Sequence, residues 1–293
     1  MKKAHLLIGA IIGLFILYTT GCQDFNNDQG NDQQGRLVIK LTDAPFPIDM
    51  IDAATVYISK VEIRKKSEGE EEGYPYITLL SLEEPKEFNL LDLQNGVTAD
   101  LLELQIDPGS YDLIRLYVDE AGIAVKGYDK PFEMKVPSGS QTGIKIFIDP
   151  AVNVVGGLST ELLLDFSVEK SFLLQGNMDS PAGIKGFHFK PVIRAANIST
   201  TGSIEGVVVD ADDVVMDGVS VRIEQDEVIA STSTEADGYY SMLGIDPGLY
   251  NLIAEIEGFE TDTIENVQIV EGNLTVQNFK LSPAEPEEDA EEE

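Results

Sequence analysis

The sequence has no tryptophan, a single cysteine and only two histidines among its 293 residues. A single thiol cannot form a disulfide within the chain, so packing and sheet hydrogen bonds must stabilise the fold. The same counts exclude metal sites that need several Cys and His ligands. The patterns G-x-S-x-G and H-E-x-x-H are also absent, which removes the common signatures of serine hydrolases and zinc proteases.

Catalysis by carboxylates is the option that these counts leave open. The chain has 52 Asp and Glu residues, and a pair of carboxylates is the machinery of most glycosidases. No spacing in the sequence singles out such a pair. We therefore expect a protein that is not an enzyme, with a hydrolase or the accessory subunit of one as the less favoured alternative.

Basic residues are scarce as well. Only 20 Lys and Arg oppose 52 Asp and Glu, which gives a net charge of −32. A chain of this charge repels nucleic acids and anionic lipid surfaces, so we expect neither as a partner. It attracts divalent cations, so no cofactor is expected except calcium, which the composition leaves possible.

Long apolar runs are missing except near the N-terminus. Leu6–Tyr18 is apolar throughout, follows Lys2 and Lys3, and precedes a polar stretch that starts at Gln23. A basic start, a short apolar segment and a small residue at the cut site are typical of a secretory signal peptide. A transmembrane anchor is the alternative, but a helix of this length reaches only about 20 Å, against ~30 Å for the hydrocarbon core of a bilayer.

The stretch Thr19-Thr20-Gly21-Cys22 resembles the lipobox of bacterial lipoproteins, with Thr19 where leucine is usual. The resemblance implies that residues 1–21 are removed and that the Cys22 thiol takes a diacylglycerol and becomes the N-terminus. Gln23 after the cysteine implies, by the sorting rules of Gram-negative bacteria, attachment to the outer membrane, on its periplasmic or its surface-exposed face. Lipid chains bind through buried methylene groups at ~0.8 kcal/mol each, which holds a soluble body at a membrane.

From residue 36 onward the pattern changes to short β-type runs. Residues 22–35 are rich in Gln, Asn, Asp and Gly and are predicted to be a flexible tether. Beyond them, short apolar runs separated by turn residues predict strands, and hence a sandwich or a barrel. At 97–105 three leucines fit neither the two-residue period of a strand nor the 3.6-residue period of a helix, and a short helix is the alternative to a strand. Residues 187–194 are predicted to be one strand, with Pro191 at an edge or a bulge.

Six stretches in a fixed order resemble a domain of unknown function that is common in bacterial cell-envelope lipoproteins. They are LTDAP at 41–45, FNLLDLQNG at 88–96, IDPGSYDLIRLYVD at 106–119, VPSGSQTGIKI at 136–146, LLLDFSVEKSF at 162–172 and FKPVIRA at 189–195. The resemblance covers residues 36–198. It implies a β-rich envelope module and implies no reaction.

Residues 203–282 resemble the carboxypeptidase regulatory-like domain, a seven-stranded sandwich that is akin to transthyretin and grouped with carbohydrate-binding-like folds. The matching positions are Gly206, Asp210, Gly218, Asp237, Tyr240, Pro247, Tyr250 and Phe259. The fold class expected for the whole chain is therefore all-β, with two β-sandwich domains in tandem. Residues 283–293 hold seven acidic residues and no base, and we predict that they are a disordered tail.

Two Pro-Gly turns repeat the sequence I-D-P-G-x-Y, at 106–111 and 245–250. Proline at the second and glycine at the third turn position predict a type II turn, since glycine accepts the positive φ. Each turn would deliver a tyrosine to the start of a strand, where the ring caps one end of a sandwich. Asn95-Gly96 predicts a further tight turn.

Four aspartates of the second domain are the candidates for a metal site. Asp210, Asp212, Asp213 and Asp217 lie between two predicted strands and could supply oxygen ligands to calcium, although their spacing is not that of an EF-hand loop. The alternative is that these side chains accept hydrogen bonds from turn backbone.

Aromatic residues offer few candidates for ligand binding. Tyr74 and Tyr76 lie beside the acidic stretch at 67–73 and are the residues that we predict to contact a ligand. A chain without tryptophan lacks the ring on which sugars most often stack. His188 has no second ligand near it in sequence and is predicted to be a packed or surface residue.

These observations favour a non-catalytic, lipid-anchored protein of the cell envelope that acts as a binding or scaffolding module. The alternative is a carbohydrate-binding surface lipoprotein in glycan capture, with the glycan held by the second sandwich or by the cleft between the domains. The expected partners are a membrane, through the N-terminal lipid, and a glycan or another envelope protein.

Overall fold

The computed structural model describes residues 34–44, 51–66, 75–177 and 183–284. Cys22, the tether as far as residue 33 and the acidic tail from residue 285 lie outside the described residues. Strands make up most of the regular structure, as the sequence predicts. Within the described ranges no helix has the length and apolar character needed to cross a membrane.

The first module is a sandwich of two large sheets with an additional two-stranded sheet. Its strands are β1 (Gly35–Ala44), β2 (Ile51–Lys65), β3 (Tyr76–Asn89), β4 (Ala99–Ile106), β5 (Gly109–Val125), β6 (Phe132–Lys135), β7 (Ile144–Val154), β8 (Ser159–Ser167), β9 (Phe172–Gly176), β10 (Ile184–Phe189) and β11 (Ile193–Asn197). The short helices α1 (Pro137–Thr142) and α2 (Val168–Ser171) and 3₁₀ turns at Leu90–Leu93 and Ile198–Thr200 connect them.

Alternating side chains give these two sheets a common core. One sheet has the order β11-β8-β1-β4, and the other has β3-β2-β5-β6. The long strand β5 pairs with β7 through Gly109–Leu116 and with β6 through Glu120–Ile123, so β6 and β7 share one edge. Ile39, Ile114 and Phe166 are fully buried where the inner faces meet, because successive strand residues point to opposite faces.

The second module is a smaller sandwich with its own core. Its strands are β12 (Gly202–Asp210), β13 (Ser220–Glu224), β14 (Val228–Ser233), β15 (Tyr239–Ile245), β16 (Gly248–Glu255), β17 (Asp262–Ile269), β18 (Leu274–Val276) and β19 (Phe279–Leu281). The sheet β14-β13-β16-β17 faces a second sheet, in which one edge of β12 pairs with β15 and the other pairs with β18 and β19. Because β18 and β19 follow one another along the same edge of β12, they fill one strand position together, and the eight strands occupy seven positions. The predicted tandem of all-β sandwiches is confirmed.

Gly206 is required where this edge strand is interrupted. The backbone of Gln277, between β18 and β19, approaches Gly206 so closely that any side chain there would overlap the Gln277 carbonyl oxygen. The Tyr240 hydroxyl donates a hydrogen bond to the same carbonyl. These two positions of the family pattern therefore build the fold and form no binding site.

Residues 97–105 form no helix, contrary to the helical alternative. They contribute most of β4, in which Leu102 lies opposite Ile39 and Asp100 lies opposite Lys40. Leu101 is therefore the extra residue of a β-bulge, and both it and Leu102 are buried although they are neighbours. A bulge breaks the two-residue alternation of a strand, and for this reason the leucines fit neither period.

Residues 187–194 are not one strand either. The run is split into β10, which pairs with β9, and β11, which pairs with β8 in a different sheet. Pro191 lies in the short connection between them. Proline has no N–H for the ladder, so a change of sheet takes place at this residue.

The two Pro-Gly turns are closed by the same hydrogen bond. The Tyr111 hydroxyl donates to the carbonyl of Asp107 at 2.7 Å, and the Tyr250 hydroxyl donates to the carbonyl of Asp246 at 2.9 Å. Both rings are buried. A tyrosine that bonds back to the preceding turn is the tyrosine corner of β-sandwiches.

The turns themselves are not of type II. Gly109 has a φ of 154°, far from the value of about +80° that a type II turn needs, and Gly248 does not have a positive φ. A lack of space explains why glycine occupies position 248, since a Cβ there would lie 3.0 Å from the ring of Tyr250.

Candidate functional site

Side-chain hydrogen bonds between the two modules are made by Arg194 on β11 and by Asn95. One terminal nitrogen of Arg194 donates to the carbonyl of Gly244 in the second module. The other donates to Asp165 of the first module at 3.2 Å and lies 3.5 Å from the carbonyl of Leu243. One guanidinium thus binds a carboxylate of its own module and two carbonyls of its neighbour.

The backbones of the two modules are also in close contact here. Gly244 has a φ of 67°, and a Cβ at this position would lie 3.0 Å from the Cβ of Ala196 and 3.2 Å from a methyl carbon of Leu163. Both the conformation and the lack of space favour glycine. A larger residue would push the second module away from β8 and β11.

Asn95 forms a second link between the modules. Asn95 and Gly96 have φ values of 53° and 75°, the left-handed pair that a type I′ turn needs, so the predicted tight turn is confirmed. The Asn95 amide donates to Glu235 at 3.0 Å, and its carbonyl oxygen accepts from the Thr232 hydroxyl. A residue that the sequence identified as a turn former is therefore also an interdomain contact.

Two poorly exposed carboxylates lie behind these links. Asp43 is 5% exposed and accepts hydrogen bonds from the backbone N–H of Val168 at 3.1 Å and from the Gln94 amide at 3.5 Å. Burial raises the pKa of Asp43 well above its usual range, and the nearby charge of Asp165 raises it further. Burial also raises the pKa of Asp165, an effect that the charge of Arg194 opposes.

Four of the six stretches that carry the resemblance of the first module meet at this place. LTDAP supplies Asp43, FNLLDLQNG supplies Gln94 and Asn95, LLLDFSVEKSF supplies Asp165, and FKPVIRA supplies Arg194. We call these five residues, with the segment 232–244 of the second module that Asn95 and Arg194 contact, the joint. Sequence reasoning missed it. The available signal was an acid inside an apolar run, as in LLLDF, because such a position retains a charge only when a partner is present.

A cleft of about 490 Å³ opens beside the joint. Its walls come from β7, β8 and β11, with Asp246 from the second module, and its polar lining includes Asp149, Asn153, Thr160 and Asn197. This volume lies within the range of ~300–1,000 Å³ typical of small-molecule sites. Among the described residues, no aromatic side chain lines the cleft.

One of the aspartates predicted to bind calcium, Asp210, accepts hydrogen bonds from the backbone of a turn. The Asp210 carboxylate accepts from the N–H groups of Asp212 at 2.8 Å and Val214 at 2.9 Å, as in an Asx turn. Lys280 forms an ion pair with Asp213. In the described part of the chain no group of three or more His, Cys, Asp or Glu side chains is arranged to hold a metal ion. Calcium binding by Asp210, Asp212, Asp213 and Asp217 stays a prediction.

The other predicted site residues are dispersed. Cys22 and Tyr74 lie outside the described residues. Tyr76 begins β3, and its ring lies under the guanidinium of Arg115, 3.6 Å from the ring centre. His188 is exposed on β10 while the neighbouring Phe187 is buried. None of these residues belongs to the joint.

The family comparisons agree with the motifs of both modules. Residues 34–191, more than half of the chain, match the family described as a domain of unknown function (DUF4382). Residues 203–282 match the carboxypeptidase regulatory-like domain. Two domains of these types fit a non-catalytic binding or scaffold module.

Several solved structures are distantly similar. The Bacillus anthracis TIE protein shares 8% identity over 87% of this chain and 42% of that chain, with a TM-score of 0.25. The shaft pilin SpaA of Lactobacillus rhamnosus GG shares 10% identity over 86% of this chain and 99% of that one, with a TM-score of 0.26. GBS52, a minor pilin of Streptococcus agalactiae, shares 11% identity over 86% and 97%, with a TM-score of 0.24.

The chain spans less than half the length of the Bacillus protein, and TM-scores this low carry no argument about its own structure or role. None of the curated proteins matches the chain. Because its match covers more than half of the sequence, the chain belongs to the DUF4382 family.

Proposed function

We propose that this protein is a lipid-anchored, non-catalytic scaffold of the bacterial cell envelope, which presents two β-sandwich modules as one body above the outer membrane. The observation that carries the proposal is the joint. Arg194 and Asn95 of the first module bind backbone carbonyls and side chains of the second. Modules that are fastened in this way keep a fixed orientation and can hold partners at a fixed separation.

The chemistry of the joint favours a permanent contact. Hydrogen bonds from a charged donor are shorter and stronger than neutral ones, and the planar Arg194 group bonds in two directions at once. Asp165, with its side chain only 14% exposed, depends on Arg194 as its cation. Separation of the modules would break the hydrogen bonds from Arg194 to the carbonyls of Gly244 and Leu243, and these bonds favour the closed arrangement.

The anchor is supported by the lipobox at Thr19–Cys22 and by the signal-like segment before it. We expect the wild-type protein to sediment with outer membranes and to be released by detergent. The Cys22→Ser variant should be recovered in the soluble fraction, because the thiol that carries the diacylglycerol is gone. A native protein whose first residue is unacylated by mass spectrometry would contradict the anchor.

The scaffold role is tested by cross-linking in intact envelopes followed by affinity purification. The full chain should recover one or more envelope proteins in constant ratio. A variant with Arg194→Met and Asn95→Gly keeps Cys22 and both cores but loses the links of the joint, and we expect it to lose partners that contact both modules. Recovery of the lipoprotein alone, or of the same partners with the variant, would argue against a scaffold.

Glycan capture is the second candidate, and the cleft beside the joint favours it. Carboxylates, amides and hydroxyls line one wall, from Asp149, Asn153, Thr160 and Asn197, and such groups are suited to sugar hydroxyls. A glycan array probed with the full chain should give a saturable signal that Asn153→Ala and Asn197→Ala weaken. An array without any saturable signal would exclude this candidate and leave the scaffold untouched.

A further inference from the structure

The outer face of the larger sheet of the first module concentrates basic and aromatic side chains. The residues that we call the basic face are Lys60, Arg64, Tyr76, Arg115, Tyr117, Lys145 and Phe147. The strand register places them side by side, with Arg115 opposite both Glu62 and Lys145 and with Phe147 opposite Leu113. Four strands at ~4.8 Å spacing make this face about 14 Å wide.

Two acids that the structure describes on this face, Glu62 and Asp112, are already paired with basic residues. Glu62 accepts hydrogen bonds from Lys60 and from the Tyr117 hydroxyl, and Asp112 forms two bonds of 2.9 Å with Arg64. The described residues place no carboxylate within ion-pair distance of Arg115 or Lys145. Arg115 lies opposite Glu62 and interacts with its charge without a direct ion pair. Lys145 has no acidic partner in the described part of the chain.

The planar guanidinium of Arg115 is oriented by an aromatic ring. The guanidinium lies over the ring of Tyr76, 3.6 Å from the ring centre, and this stacking fixes the orientation of the planar group. The Nε atom of Arg115 is buried without a hydrogen-bond partner in the described structure. Lys145 is exposed on the neighbouring strand.

Phe147 adds an apolar surface to these two charges. Its side chain is 67% exposed although it lies on a strand, and an exposed aromatic ring of this kind is a typical anchor in binding sites. A sugar that carries a carboxylate matches both features, because its apolar face can stack on the ring while its carboxylate pairs with arginine or lysine.

We propose that the basic face binds an acidic polysaccharide, a linear glycan whose sugars carry carboxylates. A thin chain fits better than a broad anionic surface, because the adjoining part of the same sheet surrounds Tyr57 with Glu87, Glu120 and Glu133. A membrane or a nucleic acid duplex would meet those acids as well. At physiological salt charges act over only ~8 Å, so a single glycan strand interacts with the basic face alone.

This binding goes beyond the scaffold role and needs neither the anchor nor the joint. The probe is polygalacturonate, titrated against the full chain, with neutral dextran and vesicles of phosphatidylglycerol in phosphatidylcholine as the comparison ligands. We expect saturable binding to polygalacturonate that weakens as salt is added. Dextran and vesicles should not compete.

Lys145→Glu and Phe147→Ser change exposed residues and should leave the fold intact, as judged by circular dichroism and thermal midpoint. We expect each to weaken polygalacturonate binding by about tenfold, equivalent to ~1.4 kcal/mol. The matched control is Lys126→Glu, an equal charge change at an exposed residue between β5 and β6, and it should have little effect.

Three results would overturn the proposal. One is the absence of saturable binding to polygalacturonate. Another is an equal loss of affinity in Lys145→Glu and Lys126→Glu, which would show that only net charge matters. The last is tighter binding of the anionic vesicles than of the polysaccharide, which would assign the face to a membrane surface.

Discussion

At the scale of single residues, Asp43 should make the stability of the first module depend on pH. Burial raises its pKa in the folded protein above the unfolded value of about 3.9. The folded state therefore favours the protonated form, so the stability that Asp43 contributes is complete below the unfolded pKa and is lost as the pH rises through the raised folded pKa.

The variant Asp43→Asn removes this titration while keeping the shape of the side chain. We expect the free energy of unfolding of the wild type, relative to Asp43→Asn, to fall as the pH rises above the unfolded pKa of about 3.9, measured by urea unfolding at several pH values. The control is Asp92→Asn, which removes the same charge from an exposed acid in the adjacent 3₁₀ turn. A constant difference for Asp43→Asn would refute the argument.

The tyrosine corners give a second prediction for individual residues. Tyr250→Phe removes the hydroxyl that bonds the carbonyl of Asp246 and keeps the buried ring. Loss of one such hydrogen bond costs ~1 kcal/mol of stability, so the urea midpoint of the second module should fall. Tyr250→Leu also loses the ring and should cost more, and an unchanged midpoint in Tyr250→Phe would show that the corner does not stabilise the fold.

At the scale of strands and turns, Asn95 has two roles that substitutions can separate: it adopts the positive φ of the turn at Asn95-Gly96, and it bonds to the second module. Asn95→Gly keeps the positive φ that the type I′ turn requires but removes the bonds to Glu235 and Thr232. Asn95→Ala removes the same bonds and also strains the turn, because alanine tolerates a φ of 53° poorly.

We therefore expect the two variants to lose the same interdomain contact but to differ in the stability of the first module. Asn95→Ala should be the less stable of the two by about 1 kcal/mol, measured by urea unfolding followed with a probe in the first module. Equal stability of the two variants would mean that turn strain is not the cause of the loss.

The same elements show how far sequence reasoning reaches. Alternation predicted most strands, because one buried face is a local property of a strand. The alternation rule failed at Leu101, where a bulge buries the adjacent residues Leu101 and Leu102, and at Pro191, where the chain passes from one sheet to another. Both failures depend on the partner strand, which the local sequence does not contain.

The joint could not be predicted for a similar reason. The polar residues of its motifs were visible in the sequence, but Asn95 and Thr232 are 137 positions apart. Arg194 binds two carbonyl oxygens, which no side-chain pattern reveals. A charged residue within an apolar strand, such as Asp165, indicates that a partner exists but does not identify it.

At the scale of the whole molecule, two separate cores are coupled through a small polar contact. Each module has its own buried cluster, so each can unfold as a unit. Arg194 bridges them by bonds to both sides. We therefore expect each module to stabilise the other as long as the joint is closed, and this coupling to hold the two modules in one arrangement.

The variant Arg194→Met tests this coupling, because methionine keeps much of the side-chain volume but makes none of the bonds and leaves Asp165 without its cation. Removal of one partner of a buried ion pair costs about 3–5 kcal/mol; since Arg194 is 30% exposed, we expect a smaller loss. Calorimetry should show the transitions of the two modules moving apart, and small-angle scattering should show a larger radius of gyration. The control is Arg222→Met, whose guanidinium is 28% exposed and pairs with Glu224 and Glu255 inside the second module. It should lower the stability of that module without changing the scattering, and an unchanged scattering curve for Arg194→Met would mean that the joint does not fix the arrangement of the modules.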